Sequence, residues 1–573
     1  MAGGDALLQR ARAILKDRVE ARCGRDALHA RNIDLAIDGA LAPEAFRIED
    51  AGDAIRIAGG SARGVLYGIG KFLRTSDYSN GFAPSSWRGV SEPQGTVRGM
   101  YFATHFHNWY HVASEAEIVR YTEDLALWGM NAVMVLFPVI NLRGWDDPEA
   151  APAMEMVRRY AKAARDLGLQ FGTFAGNCGF SGTPEHLLAT PLADPTGRRG
   201  NTGFPICPSN PEGHALIMEN ARRLFQQLAD VGLDFLCHWP YDEGGCGCSE
   251  CRPWGSSGYF RLSHGLSRLA REYFPGLKTI LSTWAFDTPP EGEWEGISRE
   301  LARGNDWLDY ILADAHEDFP AYPLQNGVPG GLPLINFPEI SMWGLFPWGG
   351  FGATPLPRRF QRLWDQVKSV VSGGFPYSEG IHEDINKAVV AQFYWDRDRT
   401  ADETLQEYIA YEYAPEATDD VLRLVALLER THTQSALDGA KNALRIRRES
   451  GSPQGIAEME GVVRLGEASL DAMGARHEVD LEAAEEAQRL AQKITAGLHD
   501  WAAQGWRWRM LYLRAVLEQY RLAPDGLQTP EAKVALKELI EILHSRLDDD
   551  GSDPFHCRVR PPLSSCRRWT RSY

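Results

Sequence analysis

The chain has 573 residues, 44% hydrophobic and 24% charged, with a formal net charge of −17 at pH 7. That length exceeds one ordinary core, so two to four globular domains are expected. The acidic balance argues against nucleic acid and anionic membranes as partners, and no apolar run approaches the roughly 18–20 residues that span a bilayer.

Met1 to Arg25 is charged throughout and lacks an apolar signal core, so the chain as written reads as cytoplasmic. Residues 5–31 read as one or two amphipathic helices. A strand pair follows, Phe46-Arg-Ile and Ala54-Ile-Arg-Ile-Ala, turning at Ala51-Gly-Asp53. After Gly59-Gly60, the apolar spacing of Val65, Leu66, Ile69, Phe72 and Leu73 predicts a helix over residues 61–74. With a Gly/Ser/Pro-rich linker, Ser79 to Gly95, this forms a small α/β domain over residues 1–90.

From residue 95 to 397 short apolar segments alternate with helical ones. The expected strands are Arg98–Thr104, Ala132–Phe137, Gln170–Ala175, Asp234–His238, Thr279–Trp284, Tyr310–Ala313, Pro333–Phe337 and Gly374–Ser378. Eight strands with helices between them predict a (β/α)₈ TIM barrel. A doubly wound open sheet is the alternative, but no glycine-rich phosphate loop follows the first strand. The strand ends carry His105, Trp109, Asp242-Glu243, Trp284, Asp314, Glu339, Trp343 and Tyr377-Ser-Glu379. In a barrel all of these converge on the C-terminal face, where active sites sit. Residues 398–548 read as helices only, over 405–414, 419–431, 458–473, 481–503, 506–520 and 530–547, and 549–573 as a disordered tail.

The strand Leu233 to Leu236 leads into Asp242-Glu243, and Gly244-Gly245 end it. Neighbours on a strand face opposite ways, so the paired carboxylates are expected to serve separate roles. Seventeen tryptophans make carbohydrate, which stacks on aromatic rings, the natural ligand class. Among nine cysteines, Cys246, Cys248 and Cys251 share one short loop, a clustering that favours reduced thiols or metal over disulfides. Structural zinc requires four ligands, and Cys207 is the first choice for the fourth, with Cys178 second.

Four stretches of this sequence resemble glycoside hydrolase family 20, the β-N-acetylhexosaminidases. Glu44-Ala-Phe-Arg-Ile…Gly64-Val-Leu-Tyr-Gly68 is similar to that family's second domain, and Arg98-Gly99 to its Arg-Gly. His238-Trp-Pro-Tyr-Asp242-Glu243 resembles its His-x-Gly-Gly-Asp-Glu, and Tyr377-Ser-Glu379 its Trp-x-Glu. The resemblance implies an exo-acting hydrolase releasing terminal GlcNAc or GalNAc by substrate-assisted catalysis. Glu243 would be the general acid, and Asp242 would orient the 2-acetamido nucleophile. Arg98, His105, His238, Glu339, Tyr377 and Glu379 would bind the sugar, with Trp284 and Trp343 as pocket walls. The chain departs from the pattern at Trp239-Pro240-Tyr241, where the family has glycines, and at Glu339, where a tyrosine would contact the acetamido group. Glutamates ending strands four and seven are the pattern of two-carboxylate retaining glycosidases, in which Glu339 would be the nucleophile. A β-glycosidase or glucuronidase of that kind is one alternative, and a non-catalytic carbohydrate-binding protein another.

Overall fold

The computed structural model describes residues 2–543 except 26, 29–31, 105–107, 193–198, 201–202, 289–290, 316–317, 341–353, 382–383, 450–455 and 523–528. His105, Trp343 and the segment 549–573 lie outside the described residues.

Helix α1 (Ala2–Cys23) precedes a four-stranded sheet of β1 (Ile33–Ile37), β2 (Phe46–Ala51), β3 (Ala54–Gly59) and β4 (Gly89–Ser91) in the order β1-β3-β2-β4. Two of these strands were not expected. β1 pairs parallel with β3, and β4 lies inside the stretch read as linker, so partners supplied by the rest of the sheet define both. Helix α2 (Ala62–Arg74) starts where Ser61 Oγ accepts from the Gly64 amide, and it buries Val65, Leu66, Ile69, Phe72 and Leu73.

The barrel is a closed parallel sheet of β5 (Val97–Phe102), β6 (Ala132–Val135), β7 (Gln170–Ala175), β8 (Phe235–His238), β9 (Lys278–Ser282), β10 (Tyr310–Ala315), β11 (Leu334–Pro338) and a last strand in two pieces, β12 (Val371–Gly374) and β13 (Tyr377–Ser378). β5 pairs with both pieces, which closes the ring. Helices α3 (Trp109–Val112), α4 (Glu115–Leu127), α5 (Ala150–Asp166), α6 (Pro211–Leu228), α7 (Gly258–Tyr273), α8 (Glu293–Ala302), α9 (Ala321–Asn326), α10 (Pro357–Val367) and α11 (Asp384–Trp395) run between or after the strands. Strand alternation fills the interior with Val97, Tyr101, Ala132, Met134, Phe174, Phe235, Cys237, Ile280, Leu312, Ile335, Phe337, Phe375 and Tyr377. Residues of opposite parity, such as Phe102, Leu236 and Leu281, join the larger core beneath the helices.

Beyond α11 the chain is helical: α12 (Ala401–Glu412), α13 (Thr418–Glu449), α14 (Ile456–Ala472), α15 (Leu481–Gly497), α16 (Asp500–Ala503), α17 (Trp506–Leu522) and α18 (Pro530–Leu543). Helix α13 runs well past Thr431, where the sequence pattern ends it. Thr431 and Thr433 sit inside α13, their hydroxyls donating to the carbonyls of Leu428 and Glu429 and so finding partners within the helix. Arg507 of α17 ties this region to the barrel, donating to Asp384 at 2.6 Å and to Asp124 at 2.9 Å. Among the described residues no helix is long and apolar enough to cross a membrane.

Candidate active site

β8 ends at His238, and the chain then turns rather than continuing as a strand. Tyr241 (φ 57°), Gly244 (φ 63°) and Gly245 (φ 133°) take left-handed or related conformations around Asp242-Glu243. The strand-alternation argument for the two carboxylates therefore does not apply, because the turn and its neighbours aim them. The Gly200 amide donates to the Asp242 carbonyl at 2.9 Å, and a Cβ on Gly200 would stand 2.4 Å from that of Asp242. Gly203 N–H donates to Glu243 Oε1 at 3.0 Å. Arg199 donates to the carbonyls of Glu243 (2.9 Å) and Ala285 (3.3 Å), joining the ends of β7, β8 and β9.

Asp242 and Glu339 share the mouth. Glu339 follows β11, bridges to Tyr377 across the barrel seam and is buried. Burial, then the charges of Glu243 and Glu339, push the Asp242 carboxyl up to about 7. Tyr377 donates to Glu379 at 2.7 Å, and both are buried. Burial and these neighbouring carboxylates raise the Tyr377 phenol well above its usual range.

The walls are aromatic. Trp284 packs at 5.7 Å and 28° against Trp239, and its indole N–H meets the Asp242 carbonyl at 3.4 Å. Trp239 also touches Phe337 (4.9 Å), and Tyr101 touches Tyr377 (5.5 Å). Such rings offer flat apolar faces beside a few fixed polar groups, the make-up of a small-molecule site. Trp239, Tyr101 and Arg199 were not singled out from the sequence. The inward parity Phe235, Cys237, Trp239 would have identified the tryptophan. Buried Asp314 has the same parity as Leu312, which puts it on the inner face at the end of β10.

Two residues expected to bind sugar do other work. Arg98 opens β5 on the barrel's outer parity and is fully buried. Its guanidinium donates to Glu44 (3.0 Å), the Gly129 carbonyl (2.7 Å) and the Gly95 carbonyl (2.8 Å), so it joins the N-terminal sheet region to the barrel. His238 also points outward, bonding Ser267 of α7 at 2.8 Å, and burial followed by Arg271 lowers it to about 3, keeping the ring neutral. The alternation that carries Cys237 inward carries His238 away from the mouth.

The four sulfurs of Cys207, Cys246, Cys248 and Cys251 lie within 4.8 Å of one another. Cys178, the second choice for a fourth ligand, lies outside that cluster and near Glu243 and Asp242.

The Asp242 shift predicts a pH effect on stability. Its folded-state value, about 7, lies above the usual aspartate value of about 3.9. The folded protein then binds the extra proton between these values, so stability is lost as pH rises through that window. An Asp242→Asn variant lacks this loss. Its Tm should match the wild type near pH 4 and exceed it by pH 8 in thermal melts, and equal pH slopes would refute the shift.

No protein-family model matches the chain, and no curated protein matches it. Solved structures do match over its length. A family GH115 4-O-methyl-α-glucuronidase with specificity for decorated arabinogalactans superposes with a TM-score of 0.57 at 11% identity, covering 94% of this chain and 74% of that one. A GH138 enzyme targeting pectin rhamnogalacturonan II gives 0.54 at 12% identity, covering 94% and 91%. The family 89 glycoside hydrolase from Clostridium perfringens, in complex with GlcNAc-α-1,4-galactose, gives 0.55 at 12%, covering 94% and 70%. At such identities the likeness is one of fold. The chain shares with these glycoside hydrolases the closed barrel and the helical region after it.

Proposed function

We propose that the chain is an exo-acting glycoside hydrolase whose reacting groups are Glu243, Glu339 and Asp242. The observation that carries the reading is the meeting of these carboxylates at the C-terminal mouth of a closed barrel, between tryptophan and tyrosine rings. Glycoside hydrolysis needs a proton donor for the leaving oxygen and a nucleophile or base at the anomeric carbon. Glu243, held by the Gly203 amide at the rim, is the general acid, and Glu339 is the nucleophile. Asp242, protonated up to about pH 7, serves as a hydrogen-bond donor near them. The fold neighbours that act on uronic acid or N-acetylglucosamine linkages support the class.

A second reading keeps the sugar's own 2-acetamido oxygen as nucleophile, with release of terminal GlcNAc or GalNAc. It is supported by the direct adjacency of Asp242 and Glu243 on one turn, which presents an orienting carboxylate beside the acid. In both readings the substrate is a carbohydrate, and in both Glu243 is the acid.

Nitrophenyl glucuronides, hexosides and N-acetylhexosaminides in both anomers test the class. Turnover of at least one is expected, and sugar binding with no turnover of any would make the chain a binding protein. Glu243→Gln should lose roughly 10²–10⁴-fold on substrates with poor leaving groups and much less on nitrophenyl glycosides, which depart without full protonation. Equal losses on both would remove Glu243 from the acid role.

A further inference from the structure

We propose that Cys207, Cys246, Cys248 and Cys251 hold a structural zinc ion, which fastens the loop after β7 to the turn carrying Asp242 and Glu243. The inference is independent of the glycosidase reading, because it rests on the sulfur geometry.

All four residues are free cysteines. A tetrahedron of sulfurs about 2.3 Å from zinc has edges of about 3.8 Å. Cys207 Sγ lies 3.8 Å from Cys248 Sγ and 3.9 Å from Cys251 Sγ, so these separations match the edges of a tetrathiolate site. Cys246 and Cys251 are fully buried, and Cys207 and Cys248 partly so. Zinc bound by four thiolates carries a net charge of −2, which such a setting tolerates only if donors face the sulfurs. They do. Ser209 Oγ lies 3.1 Å from Cys251 Sγ, backbone amides of Ser209 and Asn210 face Cys207, and those of Thr190 and Cys248 face Cys246. With four thiolates, no coordination position remains for water or substrate, so the metal is structural.

The two loops joined here are also those that hold the carboxylates. Gly200 and Gly203, upstream of Cys207, donate to the Asp242 carbonyl and to Glu243 Oε1, and Cys246 follows Glu243 by one turn. Zinc at the sulfurs would limit movement of one loop against the other, so its loss should loosen both carboxylates.

The protein purified without added metal should contain about one zinc per chain. Titration with a mercurial should release that zinc to a chromogenic chelator and lower the Tm. Cys248→Ser should lose the zinc and melt lower, Cys248→His should retain zinc and recover part of the Tm, and Cys23→Ser, outside the cluster, should keep both. A folded wild type without zinc, one holding another metal in stoichiometric amount, or zinc retained in Cys248→Ser would overturn the proposal. If Cys248→Ser fails to fold, the metal content and mercurial release of the wild type still decide it. Zinc content is read without any substrate, so its outcome and that of the glycosidase assays are separable.

Discussion

With Glu339 as the proposed nucleophile, Glu339→Ala is expected to lose on the order of 10⁴-fold in kcat, because it would remove the bond-forming group and leave only binding and acid assistance. Azide should restore turnover in this variant by occupying the vacated space and attacking the anomeric carbon, giving a glycosyl azide. An activated 2-fluoro glycoside should label Glu339 in the wild type, since a two-carboxylate retaining enzyme passes through a glycosyl ester. Intact-mass and peptide analysis would read the adduct. The acetamido route inverts every arm of this test. A thiazoline mimic of the cyclic intermediate would then inhibit strongly, as transition-state-like ligands do. Asp242→Asn would cost more than Glu339→Gln, and no label would appear on Glu339. The burial of Glu339 beside Tyr377, and its charge acting on Asp242, are why the first outcome is the expected one.

The second large effect is on stability. Arg98→Ala should destabilise the protein by roughly 3–5 kcal/mol, the usual range for breaking a buried ion pair from one side. Burial alone would raise the Glu44 carboxyl, but Arg98 and Arg63 hold it below its ordinary value, so the deletion removes the larger of these two charged partners and leaves Arg63 alone to offset the burial. The carbonyls of Gly129 and Gly95 lose a donor as well. Arg98→Lys keeps the charge without the planar fork and should fall between the two in Tm. At a temperature where the variants remain folded, KM for a cleaved glycoside should be unchanged. A raised KM at unaltered Tm would return Arg98 to the sugar site.

Much of the barrel is legible in the sequence because periodicity is a local property. Each apolar run between helical stretches, such as Gln170–Ala175, carries its own signal, and the repeated spacing of eight such runs points to closure. The ends of those strands likewise drew attention to Asp242, Glu243, Glu339 and Tyr377, since a polar residue after a buried run is conspicuous in one dimension. The cysteines were legible for the same reason: three fall in one short loop. That Cys207, far upstream in the chain, lies among their sulfurs depends on how the loop after β7 folds back, which residue order suggests but does not dictate.

What only the tertiary structure decided is which way side chains face. Arg98 and His238 looked like sugar-binding residues by their motifs, yet strand parity turns both to the outside of the barrel, one to Glu44 and the other to Ser267. Parity in turn depends on where a strand stops. β8 stops at His238, and the left-handed Tyr241 re-aims the carboxylates that follow. β1 and β4 escaped notice because a short strand is defined by its neighbour's hydrogen bonds rather than by its own pattern. The aromatic residues Trp239 and Tyr101 and the clamp Arg199 belong to the site through contacts between distant segments, which residue order alone does not encode. Residue types and periods are local, so the chain by itself identified the barrel and placed Asp242, Glu243 and Glu339 at the ends of its strands. Orientation and proximity arise only when the strands close, and these set the environment of each carboxylate.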